Sequence, residues 1–164
     1  MKHIPLIFAL LLFTFVNTFT TVSDNYPLFG GAYKPVYMKR ADLENSVSYQ
    51  PQGRKLTNPG KIYSKPPYIY INERYRGIHV INNADPAHPV NEGFIIAPGC
   101  IDMAVKDHII YIDNSVDLVA FDLNAKKVTK RVKNIFPEPV APDNSYYNGF
   151  REDDMVIVEW KKNN

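Results

Sequence analysis

From Asn58 onward, apolar and polar residues alternate in short runs, and each run stops at Gly, Pro, Asn or Asp. In YIYIN, residues 68 to 72, Ile69 and Ile71 point one way while Tyr68, Tyr70 and Asn72 point the other, because side chains alternate along a strand. A charged link, ERYRG, follows and ends at Gly77, which is free to take positive φ. In IHVIN, residues 78 to 82, Ile78 and Val80 again share a face, so the two runs predict a hairpin. The loop NADPAHPV, with Pro86 and Pro89, ends the pairing.

The same layout recurs about 41 residues later in IIYIDNSVDLVAFDL, residues 109 to 123. Tyr70-Ile71-Asn72 aligns with Tyr111-Ile112-Asp113. Ile78, Val80, Ile81 and Asn82 align with Leu118, Ala120, Phe121 and Asp122 after a one-residue deletion in the link. Upstream, NPGKIYSKPP (58 to 67) aligns with APGCIDMAVKDH (97 to 108), both copies opening on a Pro-Gly pair and the second carrying two extra residues. The outer strands are predicted in VNEGFIIA (90 to 97) and KVTKRVKNI (127 to 135). MVIVEW (155 to 160) reads as one more strand, the start or remnant of a third unit. A period near 40 residues with four short strands is the pattern of a β-propeller blade. The predicted fold is all-β, with two to three blade-like antiparallel sheets forming a partial propeller, fewer than the four blades that closure requires.

The first residues read differently. Lys2 and His3 precede the uninterrupted apolar run IPLIFALLLFTFV (4 to 16), and a polar stretch, NTFTTVSDN, follows. This is the layout of a secretory signal peptide, with cleavage expected after Ser23 and Thr18 as second choice. The run falls short of the roughly 20 residues of a membrane span. No Cys stands at the cut, so a lipoprotein signal is not expected; the chain is expected to be exported, to the periplasm or beyond the cell. Residues 24 to 57 carry Pro and Gly punctuation, one weak helical stretch (KRADLENSV) and a short extended VSY. The expected organisation is a signal peptide over 1 to 23, an irregular segment with a short helix over 24 to 57, and a β-repeat domain over 58 to 164.

The strings YIYINERYRGIHVINNADPAHPV and IIYIDNSVDLVAFDLN resemble the LVIVD repeat of exported bacterial and archaeal proteins. That repeat runs as a strand ending in Asn or Asp, a short loop with Gly, a second strand ending in Asp, and an Asp-Pro-x-x-Pro loop. The loop stands here as Asp85-Pro86-Ala87-His88-Pro89; the second copy, Asn124-Ala125-Lys126-Lys127, lacks both prolines. The resemblance covers roughly residues 58 to 134, and the chain as a whole is similar to short exported proteins of Bacteroidetes-type bacteria. It implies propeller blades and an envelope location. It implies no reaction.

Composition narrows the function classes. A net charge of +2 is too small for a nucleic-acid partner. The single cysteine, Cys100, sits in IIAPGCIDMAV and reads as a small buried hydrophobe. Histidines 79, 88 and 108 show no zinc spacing, with His79 expected to face solvent or hydrogen-bond, and DNSVD offers too few oxygens for calcium. No cofactor or metal is expected, and no residue set reads as catalytic. The basic run KKVTKRVK reads as an edge strand protected by charge, or as a surface for an anionic glycan or membrane. Loops carry binding residues most often. The candidates are Tyr75 and Arg76 in ERYR, Asn114 and Asp117 in NSVD, and Tyr146 and Tyr147 in SYYNGF. The expected role is a non-catalytic module binding a protein or glycan at the cell envelope. The alternatives are a hydrolase or lyase with a site on the propeller face, and a structural piece that completes a propeller by self-association.

Overall fold

A computed structural model describes residues 31–147 and 149–163. The expected signal peptide, residues 1 to 23, lies outside them. Among the described residues, eleven strands form three antiparallel sheets, with one short helix beside them.

The first repeat folds as β3 (Pro59–Lys65), β4 (Tyr68–Glu73), β5 (Gly77–Asn82) and β6 (Val90–Ile96). These lie side by side in chain order, with the short strand β2 (Ser48–Gln50) added beyond β6. The second repeat folds as β7 (Met103–Lys106), β8 (Ile109–Asn114), β9 (Asp117–Asp122) and β10 (Lys127–Val132), again in chain order. The registers agree as well. Tyr70 faces Val80 in one hairpin and Tyr111 faces Ala120 in the other; Ile62 faces Ile71, and Met103 faces Ile112. The two repeats are one four-stranded meander, used twice.

Residues paired across strands share a sheet face, so each sheet has two faces that can be named from the register. The tyrosine face of the first sheet carries Tyr70, Ile78, Val80 and Ile95; the isoleucine face carries Ile62, Ile69, Ile71 and His79. In the second sheet the corresponding faces carry Tyr111, Leu118 and Ala120, and Ile110, Ile112, Val119 and Phe121. The main core joins unlike faces: Tyr70, Ile78, Val80 and Ile95 of the first sheet cluster with Val105, Ile110, Ile112 and Phe121 of the second. Each such buried side chain contributes about 1.5–3 kcal/mol, which makes this contact the principal stabilising element. Cys100 is fully buried in the same cluster, as its apolar setting predicts.

The third sheet departs from expectation. The strand in MVIVEW, β11 (Met155–Lys162), does not open a third meander; it pairs with β1 (Tyr33–Lys39), which lies in the segment read as irregular. Helix α1 (Arg40–Glu44) is one turn, as KRADLENSV suggested, and buries Leu43. Val156 and Val158 of β11 pack with Leu43 and with Val116, from the β8–β9 turn. The other side of the ribbon, Ile157 and Trp160, packs with Ala141 of the chain between β10 and β11. Trp160 fixes that segment by donating its indole N–H to the Pro139 carbonyl at 2.8 Å.

Candidate functional site

At the end of the first sheet a cleft of about 240 Å³ opens beside the β4–β5 turn. Its floor is Glu73 and His79. The register puts both on the isoleucine face, since Glu73 faces Gly77 and Ile71 faces His79. Glu73, expected in a loop, is the last residue of β4 and points inward, 4% exposed. Its carboxylate accepts the Asn58 N–H at 2.6 Å, the Thr57 N–H and the Thr57 hydroxyl. It also lies 3.1 Å from His79 Nε2. Burial acts to raise its pKa, but these donors outweigh burial and hold the carboxyl at about 2.

A carboxylate only accepts, so His79 Nε2 carries a proton and donates to Glu73. The other ring nitrogen, Nδ1, lies 3.2 Å from Asn91 Nδ2, which also donates to the Arg54 carbonyl at 2.9 Å. His79 is fully buried, edge-on to Phe94 at 4.8 Å between ring centroids. Both its nitrogens are committed, so the pair anchors residues 54 to 58 to the sheet. It does not present a base to a substrate.

The rim is cationic. Arg54 lies over the Phe94 ring, 4.5 Å from its centroid, and donates to Gln50 at 2.9 Å. Arg76 reaches Glu159 at 3.3 Å. Lys55 and Arg74, both exposed, have no ion-pair partner among the described residues. Four cations therefore surround two carboxylates, one of them sealed beneath. Guanidinium groups so placed can fork onto a carboxylate, sulfate or phosphate.

The structure brings only Arg76, among the expected binding residues, to this cleft. Tyr75 is half-buried and packs against the group of Ala141, Ile157 and Trp160, while its N–H donates to the Cys100 carbonyl at 2.7 Å. Tyr146 and Tyr147 are exposed and line a separate groove with Tyr37 and Trp160. Asn114 and Asp117 require correction as surface contacts, because both are fully buried. Asp117 accepts from Arg40 at 2.8 Å, from Arg131 at 2.7 Å and from the Asn134 N–H at 3.0 Å. Asn114 donates to the Pro98 carbonyl at 2.7 Å and accepts from Arg131 at 2.8 Å. The shorter β8–β9 turn is capped by these partners, which come from far along the chain, and nothing local in NSVD announces them. Arg131 accordingly turns inward from the basic run KKVTKRVK, whose strand β10 is the sheet edge its charge suggested.

Sequence reasoning passed over Arg54, Lys55, Glu73 and Arg74. The available signal was the adjacent Arg54-Lys55 pair in a Gly- and Pro-rich stretch, together with two arginines in one short link. Among the described residues no three His, Cys, Asp or Glu side chains converge as a metal would need. No match is found when the chain is compared with protein-family models, with curated proteins or with solved structures.

Proposed function

We propose that this chain is a non-catalytic exported β-repeat module that binds a partner at the cell envelope, and that the partner is a glycan bearing acidic groups. The two meanders are read as successive propeller blades of the LVIVD type. What supports that is their common strand order, their common register and their stacking in one sense. Export rests on the basic start, apolar run and polar stretch of the first residues.

The observation that carries the binding reading is the cleft rim, where Lys55 and Arg74 have no carboxylate partner among the described residues and stand beside Arg54 and Arg76. Local positive potential of this kind concentrates anions. A hydrolase reading would rest on the Glu73–His79 pair, whose hydrogen bonds are committed to structure.

The test is retention on an immobilised uronic-acid or sulfated polysaccharide against a neutral glucan. Wild-type protein binds the acidic polymer and releases as salt rises, since such contacts are screened. The double variant Arg74→Glu, Arg76→Glu binds on the order of tenfold or more weakly. Equal retention on both polymers, or an unaffected double variant, contradicts the reading.

A further inference from the structure

The tyrosine face of the second sheet is open. In the first sheet that same face forms the chain's main internal contact, and Tyr70 is 4% exposed, whereas its counterpart Tyr111 is 36% exposed. At the opposite end of the stack the isoleucine face is covered over His79 and Phe94 by the segment around Arg54, and open beyond it. On the isoleucine face Ile62 is 66% exposed and Ile69 and Ile71 are half-buried, while their counterparts Ile110 and Ile112 in the second sheet are fully buried. The tyrosine face of the second sheet and the Ile62, Ile69 and Ile71 part of the first sheet's isoleucine face thus lie at the two far sides of the molecule, matching the two halves of the internal contact.

The charges at the inner edge agree. Lys61 of β3 forms an ion pair with Asp102, just before β7. Asp102 stands 41 residues after Lys61, so the two occupy equivalent positions in successive repeats. A further first sheet stacked on the second would present its own Lys61 to Asp102, continuing an alternation of Lys and Asp. Beside this face Phe136 and Pro137 wall an apolar groove of about 450 Å³ against Tyr111 and Leu118.

We infer that a second copy of this chain docks head to tail, laying the isoleucine face of its first sheet on the tyrosine face of the second sheet and repeating the internal contact. The contact is heterologous, so each copy uses one face to give and another to receive, and the array closes when the rotation permits. Two copies supply four stacked meanders, the smallest number typical of a closed propeller. The isoleucine face also floors the basic cleft at its Glu73 and His79 end, but neither Ile62 nor Tyr111 lines that cleft, so the docking contact and glycan binding are tested by different residues.

The experiment is sedimentation of the purified chain and two single variants, Tyr111→Asp and Ile62→Asp, at about 100 µM. Both positions are exposed, and thermal unfolding checks that the variants fold. Wild type sediments as a dimer or larger. Each variant alone retains one competent face but has no matching face to meet, and association weakens on the order of tenfold or more. Mixing the two variants restores a one-to-one dimer through the two intact faces. A monomeric wild type, or a mixture that does not recover association, overturns the inference. Retention of the variants on acidic polysaccharide at the wild-type level keeps this result separate from the cleft.

Discussion

Glu73 and Asp113 are both carboxyls at the turn ends of equivalent strands, and their surroundings push them in opposite directions. Burial opposes the charge on Glu73, but Thr57, Asn58 and His79 stabilise it and lower its pKa from 4.5 to about 2. A carboxyl lowered by folding adds stability above its unfolded pKa and loses it as pH falls toward the folded value. That contribution is about 3 kcal/mol and disappears between about pH 4.5 and 2. Unfolding titrations of Glu73→Gln should therefore show lower stability at neutral pH and a shallower acid limb than wild type.

For Asp113, burial dominates over the N–H groups of Ile101 and Asp102 and raises the pKa from 3.8 to about 6. A raised carboxyl pKa means that the folded state loses stability as pH rises through that interval. The first repeat holds Asn72 at the same position, where its Nδ2 donates to the Gly77 carbonyl at 3.2 Å. Asp113→Asn keeps an oxygen for Ile101 and Asp102, both at 2.9 Å, and removes the buried charge. Chemical denaturation at pH 7 should find it more stable than wild type by about 1–3 kcal/mol, with the difference gone below pH 4.

At the scale of elements, the strands of both repeats were legible because alternation and period pointed to the same boundaries. The β4–β5 turn was legible through Gly77, which adopts φ 142° and lets the Ile95 backbone approach. A Cβ there would overlap the Ile95 carbonyl oxygen, so Gly77→Ala should lower stability by about 3 kcal/mol or more in thermal or denaturant unfolding. The second turn has no glycine; Ser115 takes the left-handed conformation at φ 60° and donates its hydroxyl to the Ile157 carbonyl at 2.6 Å. Strand β1 was not legible. YKPVYMK contains Pro35, lacks clean alternation, and finds its partner only at the other end of the described chain. The cleft was half legible for a related reason: ERYR marked Arg76, but Arg54 and Lys55 reach it only because Glu73 folds inward and captures residues 57 and 58.

At the scale of the molecule, the repeat predicted two similar sheets, and the core adds what a repeat alone cannot give, the choice of which faces meet. Unlike faces are in contact, and that choice leaves outside the core the tyrosine face of the second sheet and the Ile62, Ile69 and Ile71 part of the first sheet's isoleucine face. The proposed blade reading and the proposed head-to-tail copy both rest on it. The most direct measurement is the set of methyl–methyl nuclear Overhauser contacts in isoleucine-labelled protein. The account predicts contacts linking Ile78 and Ile95 in the first sheet to Ile110 and Ile112 in the second. Contacts running instead from Ile69 and Ile71 to Ile110 and Ile112, like face against like face, would contradict it.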